Sequence, residues 1–128
     1  MRLFVFAVSM ITFTNAVADD FCSALNGSVV ISQDSNNTYL GEISNKYSDD
    51  SIFNEYGSYG SKYSPDSIWN EYSQAGSKYA TESPFNKYSI SPPMIIKNKK
   101  IIGYLSVNKN VSGAINPIVL RSMCEDEL

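Results

Sequence analysis

Histidine is missing from the 128-residue chain altogether. Its absence removes Ser-His and Cys-His nucleophile pairs, imidazole acid–base catalysis and every histidine-containing zinc site. Cysteine occurs only as Cys22 and Cys124, and tryptophan only as Trp69. Basic residues are too few and too scattered for nucleic acid: 10 Lys and Arg stand against 13 Asp and Glu, a net charge of −3, which leaves no electrostatic footprint for a phosphate backbone. The run Lys97, Lys99, Lys100 reads as a solvated hairpin tip. After the first residues no segment is apolar enough to span a bilayer.

The chain opens MRLFVFAVSMITFTNAVADD. A basic Arg2, an apolar stretch from Leu3 to Phe13 and Ala16-Val17-Ala18 before two acids form the layout of a cleavable export signal. The apolar stretch is well short of the roughly 20 residues a membrane anchor requires. Cleavage is expected after Ala18, leaving residues 19–128 as a single exported domain, secreted or periplasmic, with no stable membrane span. In an oxidising compartment the even pair Cys22 and Cys124 is expected to form a disulfide. Thiol catalysis is then excluded as well.

Between those ends the sequence says nearly the same thing three times. Tyr47, Tyr56, Tyr63, Tyr72, Tyr79 and Tyr88 alternate at separations of nine and seven, so the period is sixteen. NKYSDDSIFNEYGSYG (45–60), SKYSPDSIWNEYSQAG (61–76) and SKYATESPFNKYSISP (77–92) stack without a gap. Fixed columns include Lys46, Lys62, Lys78; Asp50, Asp66, Glu82; Phe53, Trp69, Phe85; Asn54, Asn70, Asn86; and Tyr56, Tyr72, Tyr88.

Ser64-Pro65-Asp66-Ser67 has the form of a helix start: Ser64 as N-cap, Pro65 at the first helical position, and Asp66 facing the positive end of the dipole. Tyr63 and Ile68 then have the spacing of a hydrophobic staple. Each repeat is therefore expected to be one or two short helical turns ended by Gly57, Gly60 or Gly76. The third, with Ala80 at the cap and Pro84 in place of Ile, is expected to be irregular. Segments 29–44 and 94–107 each carry an apolar run, a polar turn and a second apolar run, the pattern of a β-hairpin. Residues 111–121 suggest an added edge strand. The expected fold is α+β: a small disulfide-linked domain, with two β-hairpins that share one antiparallel sheet and flank three 16-residue repeats of short helical turns.

From Tyr39 to Asn108, with "NEYGSYGSKYSPDSIWNEY" at its centre and "YLGEIS" and "IIGYLSVN" at its edges, the chain resembles uncharacterised exported bacterial proteins built on an N-x-Y-G-x-Y-G-S-x-Y-S-x-D-S-I-x-N repeat. The resemblance implies an exported bacterial repeat protein. It implies no activity and carries over no functional residue.

For an enzyme, only carboxylate pairs remain as candidates, Asp66 with Glu71 or Asp50 with Glu55 on the glycosidase pattern. Acids at a helix start are explained by the dipole, and repetition is at odds with one unique catalytic constellation, so no enzyme is expected. A calcium ladder at Asp50, Asp66 and Glu82 would need six to eight oxygens, where each repeat offers one or two carboxylates. The aromatic columns are richer. Phe53, Trp69 and Phe85 are expected to supply core in a chain with few Leu and Val. Tyr56, Tyr72 and Tyr88, with Trp69, are the candidate binding residues, because tyrosine offers broad contact area and a polar handle. Three glycosylation sequons at Asn26, Asn36 and Asn110, and the terminal Glu125-Asp126-Glu127-Leu128, carry no meaning in a bacterial protein.

The sequence thus leads to a non-enzymatic exported repeat protein whose aromatic surface contacts a cell-envelope glycan or another exported protein. The alternatives are a small disulfide-stapled inhibitor or immunity-type protein and a calcium-binding exported module.

Overall fold

Apolar, β-branched stretches on either side of the repeats form strands, as their pattern requires. A computed structural model describes residues 19–128; the expected export signal and its cut after Ala18 lie outside the described residues. A helical stretch over residues 19–25, α1, leads into β1 (Ser28–Ile31) and β2 (Tyr39–Ile43); after the repeats come β3 (Met94–Lys97), β4 (Lys100–Leu105), β5 (Ala114–Ile115) and α2 (Pro117–Cys124). The strands form one five-stranded sheet in the order β2-β1-β3-β4-β5.

Each hairpin is antiparallel, and the two join along β1 and β3 with Val30 opposite Ile95. The second hairpin closes on Asn98-Lys99, both at positive φ (53° and 65°), the backbone that matches a two-residue loop to the twist of its strands. β5 runs parallel to β4 and makes the sheet mixed.

The expected edge strand over 111–121 is mostly corrected. Only Ala114–Ile115 pairs, and Pro117–Cys124 is helix. Asn116 decides this: its side-chain oxygen accepts from the N–H groups of Ile118 (2.8 Å) and Val119 (3.3 Å), with Pro117 next to it at the start of the helix. Asn before Pro is a helix start, and it outweighs the β preference of Ile118 and Val119.

The expected helical turns of the repeats are also corrected. From Asn45 onward the chain is a string of β-turns, each beginning where the last one ended. In the first repeat the N–H groups of Ser48, Ser51, Asn54, Gly57 and Gly60 donate to the carbonyls three residues before them. In the second, Ser64, Ser67, Asn70, Ser73 and Gly76 do the same. No residue from 45 to 92 has positive φ, so both central residues of each turn have the negative φ of type I turns. A repeat is five three-residue steps plus one extra residue, Gly60 or Gly76. That residue is absorbed by a wider closure in which Ser61 N–H donates to Gly57 O (3.0 Å) and Ser77 N–H to Ser73 O (2.9 Å).

Gly60 and Gly76 are glycine for lack of room. A Cβ on either would overlap the carbonyl of Asn54 or Asn70. The third repeat is regular where irregularity was expected: Ser83 N–H still donates to Ala80 O (3.2 Å), and Pro84, buried, occupies the second turn position that its fixed φ suits. That repeat stops one step early, because Pro92 stands in the Gly60 and Gly76 column and has no N–H to close a fifth turn.

The array is fixed to the sheet at both ends. Ile52 N–H donates to Glu42 O (2.9 Å) and Glu42 N–H to Asp50 O (2.8 Å); at the far end Val107 N–H donates to Pro84 O (2.8 Å), and Asn108 Nδ2 donates to Ser89 O (2.9 Å). One core joins the layers: Val30, Ile43, Ile95 and Leu105 from the sheet, Ile52, Phe53 and Ile68 from the repeats, Leu25 from α1 and Leu120 from α2. The Cys22–Cys124 disulfide links the two helices within it across 102 residues.

Reduction of that disulfide is expected to lower unfolding free energy by about 4–5 kcal/mol on the chain-entropy account, read from urea denaturation with and without reductant. Gly76→Ala is expected to cost about 1–3 kcal/mol through overpacking, whereas the exposed Gln74→Ala should stay within about 0.5 kcal/mol. Equal urea midpoints for the two variants would contradict the close approach of Gly76 to Asn70.

Candidate functional site

Each three-residue step starts with a small residue, and its remaining two positions point to different surroundings. In the third turn of each repeat the second position carries Ile52, Ile68 or Pro84, all buried, and the third carries Phe53, Trp69 or Phe85. In the first and fourth turns the third position is tyrosine. Tyr47, Tyr63 and Tyr79 form one column and Tyr56, Tyr72 and Tyr88 another, each side chain 79% to 91% exposed. The tyrosines are held by their backbones: Tyr47 N–H donates to Asn45 Oδ1 (2.8 Å), Tyr56 N–H to Asn54 Oδ1 (3.1 Å) and Tyr72 N–H to Asn70 Oδ1 (3.0 Å).

The aromatic column behind them is graded. Phe53 is buried at 3% exposure, while Trp69 and Phe85 are half-buried. Trp69 packs on Phe85 with ring centroids 5.8 Å apart, its Nε1 donates to Ile52 O (2.6 Å), and the Arg121 guanidinium lies 4.6 Å from the centre of its ring. The indole is therefore oriented on three sides and retains an open edge.

Between the tyrosine columns lie open clefts. One of about 530 Å³ has Tyr63 and Tyr72 as walls, Trp69 between them, and Lys62 and Glu71 beside the rings. A second of about 770 Å³ lies between the second and third repeats, lined by Tyr72, Tyr79, Trp69 and Phe85, with Glu71 and Lys78. Both are of the size that takes small ligands, and Trp69 and Tyr72 serve both. Beside each cleft a lysine ammonium lies over the ring of the next residue: Lys62 over Tyr63 and Lys78 over Tyr79, each at 5.3 Å.

The acidic column is dispersed. Asp50, Asp66 and Glu82 occupy the same place in successive repeats, and among the described residues no three acidic, histidine or cysteine side chains are grouped to hold a metal ion. Asp50 already accepts a hydrogen bond from the Tyr39 hydroxyl (3.2 Å). Asp66, Glu55 and Glu71 are exposed on separate turns. Sequence reasoning missed Arg121, for which an isolated arginine in an unrelated segment gives no signal. The Lys-Tyr dipeptides at 46–47, 62–63, 78–79 and 87–88 were a usable signal for the cation-ring pairs.

Among the described residues no helix is long and apolar enough to cross a membrane, and a buried disulfide suits an oxidising compartment. Compared with known proteins, the chain matches no family model, no curated protein and no solved structure.

Tyr39 joins the edge of the sheet to the first repeat, with its ring edge-on to Tyr59 at 5.1 Å. Burial, then the negative charge of Asp50 and the hydrogen bond to it, pushes its phenol up to about 12 from an ordinary value of 10. A raised pKa contributes stability that is complete below pH 10 and lost as pH rises toward 12. Tyr39→Phe is expected to be slightly less stable at pH 7, having lost the bond to Asp50, and to lose less further stability between pH 10 and 12. Parallel stability–pH curves for wild type and variant would contradict this.

Proposed function

We propose that the protein is a non-enzymatic exported binding protein, secreted or periplasmic, whose ligand is a cell-envelope glycan laid across the tyrosine clefts. The observation that carries this reading is a pair of exposed aromatic clefts side by side on the array, one within the second repeat and one between the second and third, with Trp69 and Tyr72 common to both. Six tyrosines left at 79% or more exposure form more aromatic surface than an unoccupied monomer gains from. Adjoining aromatic clefts along a line suit a ligand of linked rings.

The chemistry of the clefts fits sugar rings. Tyrosine and tryptophan offer flat apolar faces at low side-chain entropy cost together with hydroxyl or N–H groups at their edges, while Lys62, Glu71 and Lys78 supply charged partners for polar substituents. Backbone hydrogen bonds already hold the turns that carry the tyrosines, so little backbone ordering remains to oppose binding. Catalysis is not part of the reading: histidine is absent, and the acids stand on separate turns.

Trp69 is the natural reporter, half-buried at the floor of both open clefts. Titration of the oxidised protein with soluble envelope glycans is expected to give a saturable change in its emission. Tyr72→Ala should weaken binding about three- to tenfold, in line with one aromatic contact, with the urea midpoint unchanged because Tyr72 is exposed. Absence of binding to every soluble envelope glycan at millimolar concentration would refute the reading and turn attention to a protein partner.

A further inference from the structure

The first repeat has the same cleft as the second, and it is narrowed from within. Lys46, Tyr47, Phe53, Asn54, Glu55 and Tyr56 line it, each sixteen residues before its counterpart in the cleft of Lys62 to Tyr72. Three further side chains enter the first cleft from α2 and the turn after it: Arg121, Glu125 and Asp126. Its volume falls to about 340 Å³, against about 530 Å³ in the second repeat.

The contact at its lysine is specific. Lys46 Nζ meets Asp126 Oδ1 at 2.7 Å, while the same ammonium lies 5.6 Å from the centre of the Tyr47 ring. Lys62 stands over Tyr63 at 5.3 Å in the same way, and among the described residues it makes no ion pair. Glu125 is held by Arg121 (3.0 Å), and Asn45 Nδ2 donates to Leu128 O (2.8 Å), so the turn carrying Asp126 is tied down on both sides.

From this we infer that the open cleft of the second repeat takes a glycan bearing a carboxylate, with that group at Lys62 as the carboxylate of Asp126 stands at Lys46. The inference rests on the glycan reading and names its ligand class. The two clefts are copies of one site, of which one shows its occupant: an acid on the lysine, beside a tyrosine face. Hexuronates and sugars with an acidic ether substituent present the same combination, a ring to stack and a carboxylate at its edge. A bare neutral sugar would leave Lys62 without its partner. In the first cleft Lys46 is already taken by Asp126 and the space is reduced to about 340 Å³, so the track consists of the second and third repeats.

The test uses the oxidised protein and two paired probes: a tetragalacturonate and its methyl ester, and a peptide-free GlcNAc–MurNAc tetrasaccharide and its methyl ester. Each ester keeps the ring and removes the charge. For at least one pair the acid is expected to bind at least about fivefold tighter than its ester, the scale of one exposed ion pair, with the difference lost in 1 M salt. Lys62→Gln should abolish that difference, whereas Tyr72→Ala should weaken acid and ester alike and keep the difference between them. Asp126→Asn should free the Lys46 ammonium for an external carboxylate and increase the amount of acid bound per chain. Equal binding of acid and ester in both pairs would overturn the carboxylate inference while leaving the glycan reading intact. No binding of any of the four would overturn the carboxylate inference, and no binding of neutral envelope glycans either would overturn both.

Discussion

The repeats depend on one short hydrogen bond, from a backbone N–H to the side-chain oxygen of the residue two positions earlier. Asn45, Ser51, Asn54, Ser61, Ser64, Ser67, Asn70, Ser77, Ser83, Asn86 and Ser89 all accept it. A string of β-turns uses only every third N–H in its own backbone bonds, and a half-buried chain cannot leave the others unpaired. Ser and Asn at most starting positions satisfy a second of the three; Gly57 and Ala80, which also start turns, have no such oxygen. The asparagines do more: the Nδ2 groups of Asn54, Asn70 and Asn86 reach back to the carbonyls of Ser48, Ser64 and Ala80, at 2.9 to 3.0 Å. One in three positions is thereby reserved for a small polar residue. The rest are free to carry isoleucine inward and tyrosine outward.

That reservation also explains what was and was not legible in the sequence. The sixteen-residue period was visible because aromatics mark it. The three-residue period inside it was not, because Ser64-Pro65-Asp66-Ser67 satisfies the rules of a helix start and of a type I turn equally. In both, the side-chain oxygen of the first residue faces the N–H of the third, and the middle residues take right-handed backbone angles. A helix then continues in those angles; here Ser67 and Asn70 restart the motif at each step. Their recurrence at every third position was the distinguishing signal.

The sheet was easier to read, since alternating apolar residues around polar turns have few other solutions, and the terminal cysteines implied that the chain's ends meet. α2 was lost to its composition: Ile118, Val119 and Leu120 favour a strand until Asn116 and Pro117 are weighed. In the aromatic columns, position within the turn separates core from surface. Phe53 is buried in the core, Trp69 and Phe85 are half-buried, and every tyrosine of the two columns stays outside. The acids of the array gather nowhere, and into the first cleft Arg121, Glu125 and Asp126 enter from outside the array.

Because the first repeat is hydrogen-bonded to β2 and the third to the segment after β4, the array is a span between two abutments. Stacked-repeat proteins open at one end can gain or lose a unit with little consequence for the rest. Here an added copy would have to arch away from the sheet, and a missing one would leave a gap that two fixed ends cannot close. The copy number is thus set by the width of the sheet, and so is the number of clefts the surface can offer.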